Sequence, residues 1–146
     1  MTIKEYLSQA FHVDQRINSK LDQVASLNEL AKKATTTISD MPGKATKNIT
    51  KMEDVIIKIV AMEAEINEDI EKLVSLKAEI TNLIKRIERL EYQTLLEKRY
   101  LCFQTWEQIA VDMGYNIRWI HRLHSKALDE ARLQFTEHVD YKTPIV

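Results

Sequence analysis

From Lys44 to Met113 the chain contains neither glycine nor proline, and its only two glycines and two prolines lie outside that stretch. Nothing in the backbone chemistry there interrupts a helix, so an all-α fold is expected. The side chains add a period. Met52, Ile59, Ile66, Leu73, Ile80 and Ile87 fall one heptad apart, which predicts a coiled-coil helix over about 49–91 with those six residues on its oligomerisation seam. Ile56, Ile70 and Ile84 take every second partner position, while Glu63, Lys77 and Glu91 interrupt the others. Val55, Met62, Leu76, Leu83 and Leu90 widen the stripe beyond a two-stranded seam. Such a stripe asks for a partner on each side, namely a first helix folded back and a second copy of the chain, so a homo-oligomer is expected. A monomeric three-helix bundle is the alternative, because an antiparallel fold-back would cover much of the same face.

The first helix is expected at about 3–34. Thr2 and Glu5 form a capping box at its start, and Ile3, Leu7, Ala10, Ile17, Val24 and Ala31 make one stripe along it. Residues 35–48 gather threonines, Ser39, Asp40, Pro42 and Gly43, the composition of a hinge. Together these make a helical arm over 1–91.

The formal net charge of −1 over 146 residues gives no global attraction to a polyanion, so any such affinity must come from a local patch. Cys102 is the single cysteine, which excludes an intramolecular disulfide. With no secretion-signal pattern at the start, a cytoplasmic location is expected. The most apolar run, Val55 to Met62, is short and contains Lys58, so no membrane partner is expected.

One segment carries a local patch. In TWEQIAVDMGYNIRWIHRLHSKAL, from Thr105 to Leu128, Thr105 and Gln108 form a second capping box, and Trp106, Ile109, Ala110 and Met113 share one helix face. Gly114 is placed to end that helix in a left-handed conformation, and Asn116 to cap the next. In the second helix Ile120, Leu123, Ala127 and Leu128 point inward. Arg118, Trp119, His121, Arg122, Ser125 and Lys126 are left on the outer face, and no acid occurs between Asn116 and Leu128. Two short helices, a tight turn and a cationic outer face are the grammar of a helix-turn-helix, with double-stranded DNA as the expected ligand. Asn116, Arg118, Trp119, His121, Arg122, Ser125 and Lys126 are the expected contacts. An amphipathic hairpin with a solvated basic face is the alternative.

This stretch resembles the fourth region of primary sigma factors, and more closely RinA-like and ArpU-like phage transcriptional regulators, in which a leucine-rich helix ending in Arg-Tyr precedes the helix-turn-helix. Leu95, Leu96, Arg99 and Tyr100 carry the first part of that resemblance. Trp106, Ile109, Ala110, Gly114 and Tyr115 carry the next, and Arg122-Leu123-His124 with Ala127-Leu128 the last. The resemblance spans roughly the final third of the chain. It implies a regulator of phage or prophage genes in a bacterial host cell, an activator working through RNA polymerase, with the outer positions of the second helix on DNA. Ile117 and Trp119 stand where sigma factors usually place charges, which points away from an ordinary promoter element. The domain reading is then an arm over 1–91, a helix-turn-helix over 92–134 and a loosely held tail over 135–146.

No enzymatic constellation is expected. His121 and His124 are three apart on a helix, yet two imidazoles make an incomplete zinc site. Cys102 has no neighbouring base in sequence and reads as an inert, partly buried thiol. No cofactor, metal or small-molecule substrate is expected. Two rival functions use the same elements: a coiled-coil interaction protein in which the helix-turn-helix is only a packing module, and a phage DNA-packaging adaptor.

Overall fold

The computed structural model describes residues 1–38 and 45–142, with side chains excepted at 35–38, 45, 46, 48 and 137–142. Among the described residues the chain forms five helices and no strand: α1 (Ile3–Ile38), α2 (Ala45–Lys85), α3 (Leu90–Tyr100), α4 (Trp106–Met113) and α5 (Ile117–Lys142). The all-α expectation holds. The chain divides into two compact units, one made of Met1–His12 with Leu73–Val146 and the other of Val13–Lys72.

In the first unit, the first turns of α1 and the last turns of α2 share one core with α3, α4 and α5. Ile3, Leu7 and Ala10 from α1, Ile80, Leu83 and Ile84 from α2 and Ile87 beyond it are buried with Leu95, Leu96, Ile109, Ile120, Leu123 and Ala127. The helix start is fixed locally: Thr2 N donates to Glu5 Oε2 at 2.9 Å and Glu5 N donates to Thr2 Oγ1 at 3.1 Å, the expected capping box.

In the second unit α1 and α2 run antiparallel. Val13 and Ile17 are buried, as is Ile66. Between them Lys20 Nζ, only 14% exposed, reaches Asp69 and also lies 3.6 Å from Glu65. The ammonium's hydrogen bond holds the Asp69 carboxyl below its ordinary pKa.

Four expected boundaries need correction. The coiled-coil helix does not continue to Glu91: it stops at Lys85, and α3 begins at Leu90. No breaker residue marks the stop. The break is stabilised by burial of Ile87 in the shared core and by contacts within the turn: the Ile87 carbonyl accepts from Gln93 Nε2, and the Arg89 guanidinium lies 4.8 Å from the Tyr92 ring centroid while donating to its hydroxyl. The tail expected over 135–146 is instead helical through Lys142, because Phe135 packs on Tyr6 with centroids 5.0 Å apart and Ala131 is fully buried. The expected end of α1 near 34 moves to Ile38, and α2 starts at Ala45 rather than 49. Of the hinge expected over 35–48, only 39–44 is left, and it lies outside the described residues.

Candidate functional site

The C-terminal site is assembled from α3, α4 and α5, each packed on the other two. α3 ends by folding its last amides back: Leu101 N and Cys102 N both donate to Glu97 O at 3.0 Å, and Gln104 N donates to Lys98 O at 3.0 Å. Between them Phe103 adopts φ 57, a left-handed conformation that costs a non-glycine residue roughly 1–2 kcal/mol. Its ring contacts offset that strain. The ring meets Phe11 edge-on at 5.7 Å, and the Lys77 ammonium sits 4.8 Å from its centroid.

Thr105 then starts α4 with both halves of the predicted capping box, Gln108 N to Thr105 Oγ1 at 3.2 Å and Thr105 N to Gln108 Oε1 at 2.9 Å. Ile109 and Ala110 are buried, and Trp106 and Met113 half-buried, as the spacing predicted. Gly114 closes the helix at φ 73, and Tyr115 N returns to Ala110 O at 3.0 Å. Asn116 Oδ1 accepts from Trp119 N at 2.8 Å and starts α5.

α5 turns Ile120, Leu123, His124, Ala127 and Ala131 into the core. Asn116, Arg118, Trp119, His121, Arg122, Ser125 and Lys126 are all exposed, so the structure brings the seven expected residues to one accessible side of the motif. The first acid along α5 is Asp129, and it is engaged by Arg132 at 2.8 Å. A face with three cations and no anion over thirteen residues can hold a polyanion without an internal competitor.

Sequence reasoning missed what stiffens this face from behind. The Arg99 guanidinium lies 4.4 Å from the Trp106 centroid and donates to Gln104 O at 2.9 Å. Trp106 also meets two imidazole rings, His124 edge-on at 4.5 Å and His121 at 5.1 Å. Tyr100 Oη and His124 Nε2 are hydrogen-bonded at 2.7 Å inside the core. Burial pushes the Tyr100 hydroxyl up to about 12 and, with Lys4, Arg99 and His121 nearby, drives the His124 imidazole down to about 4. The pair is therefore neutral near pH 7. The Arg-Tyr ending of α3 was legible in sequence; its reach across to His124 was not.

His121 and His124 do not share a ligand, since His124 is buried with Nε2 already engaged by Tyr100. Among the described residues no three His, Cys, Asp or Glu side chains cluster as a metal site. Cys102 is exposed rather than partly buried, because the turn after α3 directs it outward while Phe103 takes the inner position. No helix among the described residues is long and apolar enough to cross a membrane.

The expected oligomerisation seam divides. Ile66, Ile80 and Ile87 are buried within the chain, while Met52, Ile59 and Leu73 are half-buried. The apolar surface left in water on α2 includes a neighbouring stripe: Ile49, Ile56, Ile57, Val60, Ile70 and Val74 are each 42–65% exposed.

Fold and site together define an all-α protein with an antiparallel helical pair and a C-terminal helix-turn-helix. A family described as a protein of unknown function (DUF1492) matches residues 33–131, and the chain belongs to it. That match spans α2, α3, α4 and the first half of α5. No curated protein and no solved structure shows significant similarity to the chain.

Proposed function

We propose that the protein is a sequence-specific, double-stranded-DNA-binding transcriptional regulator of phage or prophage genes, acting as an oligomer. The observation that carries this reading is the face of α5. Arg118, Arg122 and Lys126 are exposed, no acid interrupts them, and the helix is mounted on a turn fixed by Gly114 and the Asn116 cap. Helix-turn-helix modules read DNA by laying such a helix in the major groove, its early residues on base edges. With a net charge of −1 the whole chain has no generic pull on nucleic acid, which favours a local, specific site.

Oligomerisation through α2 would place two such helices on repeated half-sites, so that weak individual contacts sum. The exposed stripe from Ile49 to Val74 supports that part. Activation through contact with RNA polymerase rests on the likeness to sigma factors alone.

The test is selection of duplex fragments from host and phage genomes by the purified full-length chain. Enrichment of a common sequence over random competitor is expected. The logarithm of affinity should fall with the logarithm of salt by about 0.9 per phosphate contacted. Retention of no duplex above competitor would overturn the reading, and a large ring in solution would favour a packaging adaptor instead.

A further inference from the structure

The outer face of α5 holds two groups that charge does not explain. Ile117 and Trp119 remain 43% and 37% exposed in the first turn, on either side of Arg118. The backbone under Trp119 is fixed, its amide donating to the Asn116 cap at 2.8 Å. Its ring lies 6.3 Å from that of Tyr115, with the Lys126 ammonium 5.7 Å from its centroid. Arg118, Arg122 and Lys126 are exposed on the same helix, no acid occurs between Asn116 and Leu128, and the Glu91 carboxylate beyond Tyr115 is taken up by that residue's hydroxyl. A cationic rim suits a polyanion and disfavours a second apolar protein face bordered by its own cations.

Within a major groove almost every group is a hydrogen-bond donor or acceptor, and the C5 methyl of thymine is the apolar exception. Resting on the DNA-binding reading above, we infer that Trp119 reads thymine methyl groups. The preferred duplex then carries thymine opposite the first turn of α5, next to the bases or phosphates held by Arg118 and Arg122. The same feature accounts for apolar residues standing where charged ones would otherwise be expected on a groove-facing helix.

The experiment uses the full chain and duplexes it selects from a random library. Each selected duplex is remade with deoxyuridine in place of thymine, which removes the C5 methyl and leaves every hydrogen-bonding group unchanged. Affinity should drop about fourfold for each methyl covered, the factor carried by burial of one methylene-sized group. Trp119→Ala should bind the thymine and deoxyuridine forms equally, while Trp119→Phe should retain part of the difference. Because the first comparison needs only the parent protein, a variant that fails to fold does not remove the test. A parent indifferent to the methyl groups on a duplex it still prefers over scrambled sequence overturns the inference and leaves DNA binding standing. A Trp119→Ala protein that keeps the full methyl penalty overturns the assignment to Trp119. Failure to enrich any duplex removes the DNA-binding reading, and this inference with it.

Discussion

His124 and Arg122 lie two positions apart on α5 and face opposite ways, one into the core and one into water. Their consequences differ accordingly. His124 is held near pKa 4 by burial, against 6.5 when solvated. Between those values the unfolded chain binds the extra proton, so its contribution to stability is complete above about pH 6.5, declines as pH falls toward 4, and changes no further below. The loss should reach at most about 3 kcal/mol. Urea unfolding of the parent and His124→Gln across pH 7 to 4 checks this: the parent should lose more stability on acidification than the variant. On the proposed DNA-binding reading, Arg122 would pair bidentately with guanine, whereas Lys126, a turn further along, would act as a point charge for phosphate. Arg122→Ala is expected to cost about 1–3 kcal/mol on the preferred duplex and to relax specificity. Lys126→Ala should weaken all sequences alike and lower the salt slope by about one. An Arg122→Ala protein losing the same factor on specific and scrambled duplexes would move Arg122 to the phosphates.

At the scale of elements, the C-terminal hairpin is the part whose local chemistry and tertiary packing agree. The Thr105 capping box, the left-handed Gly114 and the Asn116 cap were each legible from residue type and spacing, and each is present in the hydrogen bonds or dihedral of the fold. Gly114 isolates one such contribution. A Cβ added there meets nothing within 4 Å, so Gly114→Ala carries only the cost of a left-handed φ of 73, about 1–2 kcal/mol. Denaturant midpoints should show that loss with an unchanged slope, and Gly114→Asn should lose less, since Asn tolerates this conformation. The other two connections were not legible. Residues 86–89 leave the helix without glycine or proline, and Phe103 adopts the conformation usually given to glycine. The Phe103 turn depends on Phe11 and Lys77, both distant in sequence, and the 86–89 turn on burial of Ile87 in the shared core, which no local propensity encodes.

Over the whole molecule, the heptad pattern of α2 serves more than one purpose. Ile80 and Ile87 are spent on the core shared with α3–α5, so lysine at Ile80 would test folding rather than association. Ile56 and Val60 are 48% and 60% exposed and make the cleaner probe. If the chain assembles through that stripe, Ile56→Lys with Val60→Lys should lower the mass seen by sedimentation while leaving helicity unchanged. An unchanged mass would assign the parent's assembly, if any, to another surface. The sequence by itself determined the helical class, the position of the helix-turn-helix and the exposed cationic face, because those follow from periodicity and from caps whose partners lie within four residues. Tertiary structure alone decided where α2 stops, that α5 runs on past Phe135, that Tyr100 reaches His124, and which isoleucines of one continuous repeat are buried. The physical reason is that a heptad states only that a face is apolar; which neighbour covers it is settled by the packing of segments brought together by the fold.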